Sequence, residues 1–197
     1  MGSRWRPVIY ALSAVFLVAT AWYAFSAPSD PKAGSVDVGF LQDMRYHHDQ
    51  AVQMGLDLLD KPADTIDPLL RTIAKEIIVG QQLESGAMVQ ILQDWGQPDS
   101  NESGQAMGWM QHAVPIEQMN GMASAADRQA LKAATGAAAN ALFAGLMITH
   151  HDGGIHMAEY AADHAKDDKV RVLAKAMVSA QKSDLVELRQ IAARYPR

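Results

Sequence analysis

The stretch "FLQDMRYHHDQAVQM", residues 40–54, returns further along the chain as "FAGLMITHHDGGIHM", residues 143–157. Phe, Met, His-His and Met recur at the same spacing in both. Helical residues advance about 100° each, so His47 lies about 60° to one side of Met44 and His48 about 40° to the other. Phe40, Ala51 and Met54 share that arc. It therefore reads as the apolar face of a helix, with two histidines set into it. Met147, His150, His151 and Met157 give the same map in the second copy. Asp49 and His156 project away from the arc and are expected at the surface, while His164 sits at its edge.

The repetition continues downstream. "IAKEIIVGQQLESGAM" (73–88) aligns with "LAKAMVSAQKSDLVEL" (173–188), pairing Gln81 with Gln181 and Glu84 with Asp184. Each copy thus reads as a helical hairpin. The expected helices run from about Asp37 to Leu59, Leu69 to Trp95, Ala125 to Ala165 with a break near Gly136, and Asp168 to Arg194. "KPADTIDP" (61–68) separates the first two, and Ser124 with Asp127 reads as an N-terminal capping box for the third. Two hairpins that each bury one face predict an all-α four-helix bundle, with repeats at 37–95 and 125–194 inside a domain spanning 37–197. Between the repeats, residues 106–122 ("AMGWMQHAVPIEQMNGM") read as an irregular crossover containing a single helical turn.

A buried amide or carboxylate is costly unless paired. Gln81, Glu84, Gln181 and Asp184 are therefore expected to meet imidazoles of the facing helices. A carboxylate holding one ring nitrogen leaves the other basic, which is the usual support behind a metal-bound histidine. Cysteine is absent, which removes disulfides, thiolate metal sites and cysteine nucleophiles from consideration. Soft ligands must then be thioethers or imidazoles, and the chain holds 11 Met and 7 His to supply them. Di-iron bundles need more carboxylates than Glu84 and Asp184 provide, together with Glu-x-x-His where this chain has Met-x-x-His. Thioether plus imidazole suits copper, above all Cu(I). Met107, Met110, His112, Met119 and Met122 of the crossover join Met44, His47, His48, Met54, Met147, His150, His151 and Met157 as candidate ligands. Gln81, Glu84, Gln181 and Asp184 are candidate supports behind them.

The chain begins with Arg4 and Arg6, followed by an uncharged apolar run, "VIYALSAVFLVATAWYAF" (8–25). That is the pattern of a membrane anchor or a cleaved secretory signal in residues 1–26, and residues 27–36 read as a linker. Either way the remainder is expected outside the cytoplasm, anchored to the cell membrane or released. The formal charge is −5, so the basic footprint of a nucleic-acid binder is missing. No nucleophilic triad, phosphate loop or nucleotide fingerprint appears.

"DVGFLQDMRYHHDQAVQM", "GQQLESGAM", "GMASAADRQALKAATG" and "LMITHHDGGIHMAEYA" together resemble the family catalogued as domain of unknown function 305. The resemblance covers most of residues 37–193. It implies a ferritin-like fold, an exported or membrane-anchored location and, from some members, copper binding and copper tolerance. The two copies differ. Asn140 stands where the first has Asp37, Gly153-Gly154 replace Gln50-Ala51, and Leu188 replaces Met88. A second site unlike the first is therefore expected. The reading favoured by the sequence is an extracytoplasmic protein that sequesters or transfers copper by coordination, without bond chemistry on a substrate. A ferritin-like metal oxidase and a metal-free structural or interaction module of the envelope are the alternatives.

Overall fold

The computed structural model describes residues 30–196. The N-terminal apolar segment, read above as anchor or signal, lies outside these residues. Among the described residues no helix is long and apolar enough to cross a membrane.

Ser35 opens α1 (Val36–Leu59) by accepting the Val38 amide at 3.3 Å. A short 3-10 turn, Ala63–Thr65, leads to Asp67, whose carboxylate accepts the Leu69 amide at 2.8 Å and starts α2 (Pro68–Asp94) with proline in its first turn. The capping box at Ser124 and Asp127 opens α3 (Ala125–Ala133). The third segment divides at the break expected near Gly136. Ala134 and Thr135 are extended and Gly136 takes φ +54°, so the chain turns before α4 (Gly136–His164) begins. Asp167 then accepts the Lys169 amide at 2.7 Å and starts α5 (Asp168–Arg194).

Helix α1 packs against α2, α4 against α5, and α1 against α4. Two apolar cores follow from this packing. One gathers Phe40, Met44, Met88, Met107, Met119, Met157 and Met177. The other gathers Met54, Leu58, Ile73, Phe143, Met147 and Leu188. Met44 precedes its histidines and Met157 follows its own, yet they share a core, so α1 and α4 run antiparallel.

The crossover departs from the single turn expected. It contains two 3-10 turns, Gly108–Met110 and Ile116–Gln118, and a short antiparallel pair of strands, β1 (Gln105–Ala106) and β2 (Val114–Pro115). Asp43, fully buried on α1, organises it. Its carboxylate accepts the Met107 amide at 2.7 Å, the Trp109 indole N–H at 2.8 Å and the Asn101 side-chain amide at 2.8 Å. Met107 is held at φ 62° by the first of these bonds.

The first helix of each hairpin also completes the turn of the other. Asp37 accepts the Lys166 and Asp167 amides at 3.0 and 2.8 Å, where α5 begins. Its counterpart Asn140 accepts the Asp67 amide at 3.3 Å, where α2 begins.

Candidate metal centre

His47, His48, His150 and His151 are all 0% exposed and lie between the two cores. Helices α1 and α4 bring them together. The His47 and His150 rings stack with centroids 3.7 Å apart and planes tilted by 31°, and His151 lies 6.3 Å from His150. The outer helices hold the flanking pair. His48 Nε2 is 2.8 Å from Glu84, and His151 Nε2 is 3.0 Å from Asp184.

These contacts set the tautomers. A carboxylate only accepts, so His48 and His151 donate through Nε2–H, and the Asn120 carbonyl receives His47 Nε2–H at 3.1 Å in the same way. In His47, kept neutral by burial, the lone pair is left on Nδ1. None of the Nδ1 atoms of the four histidines has a hydrogen-bond partner, nor does His150 Nε2. Gln81 and Gln181, 4% and 2% exposed, lack hydrogen-bond partners at both side-chain atoms, so the imidazole pairing expected of them from sequence is not made, and the carboxylates alone hold the flanking rings. Gln181 faces the cluster closely, since a Cβ at Gly154 would meet its Oε1 at 2.5 Å and His47 Cε1 at 3.1 Å. The Gly153-Gly154 pair thus makes room for the Asn120 backbone and the Gln181 side chain.

Burial, with the neighbouring imidazoles His48 and His151 adding to it, lowers the His47 pKa to about 3. Burial and the His47, His151 and His48 rings drive His150 well below the ordinary histidine value. Both rings are therefore neutral and carry a lone pair. Unpartnered lone pairs on buried neutral imidazoles, bracketed by thioethers, form a donor set suited to a soft cation. Among the described residues, no group of three or more His, Asp or Glu side chains is arranged to hold a metal ion by itself.

Met44, Met54, Met147 and Met157 are all fully buried, with Met44 and Met157 in the core on one side of the histidine layer and Met54 and Met147 on the other. Met107 and Met119 are 2% exposed and belong to the first core, with Met110 and Met122 half-buried against it. His112 is exposed on the crossover. His156 is exposed as expected, bonded to the Asn120 side chain at 2.9 Å, and His164 is exposed and stacked on Tyr160. A surface hollow of about 490 Å³ beside Asp43 and Trp109 includes none of the four histidines. Asn120 and Gln50, which cover the cluster, were not singled out from sequence. Their only signal was the Asn-Gly turn and the unequal Gln50-Ala51 and Gly153-Gly154 pairs.

An all-α protein with a sealed histidine layer between methionine-bearing cores is the class these features define. The model of the domain of unknown function DUF305 matches residues 37–192, and the chain belongs to that family. No curated protein matches it significantly. Among solved structures, a DUF305 protein of Streptomyces coelicolor assigned as secreted is 32% identical, with TM-score 0.76, covering 83% of this chain and 96% of its own. A DUF305 fragment from Deinococcus radiodurans is 26% identical, with TM-score 0.70 and coverages of 83% and 99%. CopM in its Cu(I)-bound form is 22% identical, with TM-score 0.59 and coverages of 82% and 98%; it has also been solved with Cu(II), with silver and in the apo form.

Proposed function

We propose that this protein binds copper, as Cu(I), outside the cytoplasm and sequesters it or passes it on. The observation that carries the reading is the set of Nδ1 atoms without a hydrogen-bond partner on four fully buried histidines. A purely structural network satisfies its buried polar groups, because each one left without a partner costs about 1–3 kcal/mol. Here Glu84, Asp184 and the Asn120 carbonyl each fix one nitrogen of a ring, and the other has no hydrogen-bond partner. Such an arrangement holds imidazoles ready for a metal.

In this reading the four long helices form a ferritin-like bundle of two hairpin repeats, 37–95 and 125–194, joined by the methionine-bearing crossover. His47, His48, His150 and His151 supply imidazole. Met44, Met54, Met147 and Met157 supply thioether, and Met107, Met110, His112, Met119 and Met122 form an approach from the surface. Gln81, Glu84, Gln181 and Asp184 orient the ligands. Thioethers favour Cu(I) over Cu(II) and over harder ions; the Cu(I)-bound and silver-bound structures of CopM support a soft monovalent cargo, and CopM has also been solved with Cu(II). Residues 1–26 serve as anchor or signal.

An anaerobic Cu(I) competition titration with metal analysis tests this. Stoichiometric binding by the wild type, lost in the double variant His47→Ala/His150→Ala, is expected. Equal affinity in wild type and double variant would refute the core site. Sustained oxygen-dependent oxidation of Cu(I) or Fe(II) would favour an oxidase instead.

A further inference from the structure

All four histidines are sealed from solvent, so anything that reaches them must be admitted by movement of the protein. Residues 119–123 pass over His47 and lie against the backbone of α4 at Thr149, His150 and Gly153. The Asn120 carbonyl accepts from His47 at 3.1 Å, and the Asn120 side chain donates to His156 at 2.9 Å on the outer face. The Gln50 amide grips Ala123 at both polar atoms, accepting its N–H at 2.7 Å and donating to its carbonyl at 3.1 Å. Beyond these bonds, the segment lies backbone to backbone on α4. Gly121, at φ +82°, would place a Cβ 2.8 Å from the Thr149 and His150 carbonyl oxygens. A Cβ at Gly153 would overlap the Asn120 carbonyl and stand 2.6 Å from Gly121 Cα.

Within this segment only Met119 and Ala123 are buried apolar residues, at 2% and 8% exposure. Segments held by few apolar contacts and a handful of polar bonds open at lower cost than the helices around them. Gly121 supplies the conformational freedom for such opening.

We infer that Met119–Ala123 is a gate over the histidine cluster, latched by Gln50 to α1 and by Asn120 to His47 and His156. Its opening admits ions to the imidazoles. The identity of the ion rests on the copper reading above, whereas the gate itself does not.

Two variants loosen the gate without removing any proposed ligand. Gln50→Ala deletes both bonds to Ala123, and Gly153→Ala pushes the Asn120 carbonyl away from α4. In the full-length, metal-free protein, diethyl pyrocarbonate modification of His47 and His150, read by peptide mass spectrometry, is expected to accelerate roughly 10- to 30-fold in Gln50→Ala, the effect of losing two hydrogen bonds. Gly153→Ala moves the rate in the same direction. Hydrogen exchange of the wild-type Ala123 amide is expected to proceed by a local opening, well ahead of the amides of α4. Unchanged modification rates in both variants, or Ala123 exchange only through global unfolding, would overturn the gate. With Cu(I) as probe, association is expected to quicken by the same factor. Faster modification with an unchanged Cu(I) association rate would overturn passage of the ion beneath the strap. Absence of Cu(I) binding in the wild type would overturn the copper reading and leave the modification result to decide the gate.

Discussion

Replacing His47 by glutamine provides a demanding test of how deeply the histidine layer is buried in the metal-free protein. Glutamine retains an N–H for the Asn120 carbonyl, which His47 now serves at 3.1 Å, but it does not titrate. In the unfolded chain a histidine takes up a proton near pH 6.5, whereas the folded protein holds His47 neutral down to about 3, chiefly through desolvation. The folded pKa is the lower of the two. The His47 contribution to stability is thus fully present above pH 6.5, declines as the pH falls below that value and is exhausted near pH 3. Between pH 7 and pH 5 the loss amounts to about 2 kcal/mol from this residue alone. With a urea slope of about 2 kcal/mol/M, the midpoint of unfolding should fall by about 1 M more in wild type than in His47→Gln over that interval. Urea titrations followed by circular dichroism at pH 7, 6 and 5 measure both. Parallel pH slopes in the two proteins would refute the burial of a neutral His47.

Other perturbations probe the surroundings of the cluster. Asp37→Ala removes the side-chain acceptor of the Lys166 and Asp167 amides and should cost about 2–3 kcal/mol, seen as a melting temperature lower by about 5–10 °C. Asp37→Asn should lose less, since Asn140 already fills the matching position with an amide oxygen. Gly154→Ala drives a methyl group into Gln181 and His47; a cost of about 1–3 kcal/mol in chemical unfolding is expected, with displaced His47 ring resonances in NMR. Asp43→Ala strands the Met107 amide and the Trp109 indole, so tryptophan emission should shift to the red and stability fall by about 2–3 kcal/mol.

What could be read from the chain beforehand was what depends on helical period and local capping. The inward arc of Met44, His47 and His48, the surface position of His156, the box at Ser124 and Asp127, and the start and end of α5 all follow from residues within a turn or two of one another. The contacts of Glu84 with His48 and Asp184 with His151 were also legible from their shared position in the two repeats, although both carboxylates keep partial exposure where burial was expected. The path of residues 105–123 was not. Its β pair and strap are shaped by Asp43, Gln50 and Gly153, which are distant in sequence and bear no local mark of that task. The division between α3 and α4 was visible only as Gly136, since propensity alone does not separate a kink from a break. The Gly153-Gly154 pair read only as a difference between the two copies, whereas it accommodates the backbone of the crossover and the Gln181 side chain.

The reciprocal contacts of Asp37 and Asn140 carry a consequence for how the chain folds. Asp37 must wait for amides 129 and 130 residues away, and Asn140 reaches back 73 residues to Asp67. Closing loops of that length is entropically demanding and slows the search for native contacts. As the chain emerges from its N-terminus, the first hairpin has an unsatisfied acid at its head until residue 167 is available. The second hairpin depends in turn on the first. Neither half is a finished product, so assembly should be concerted, with the last helix completing the first.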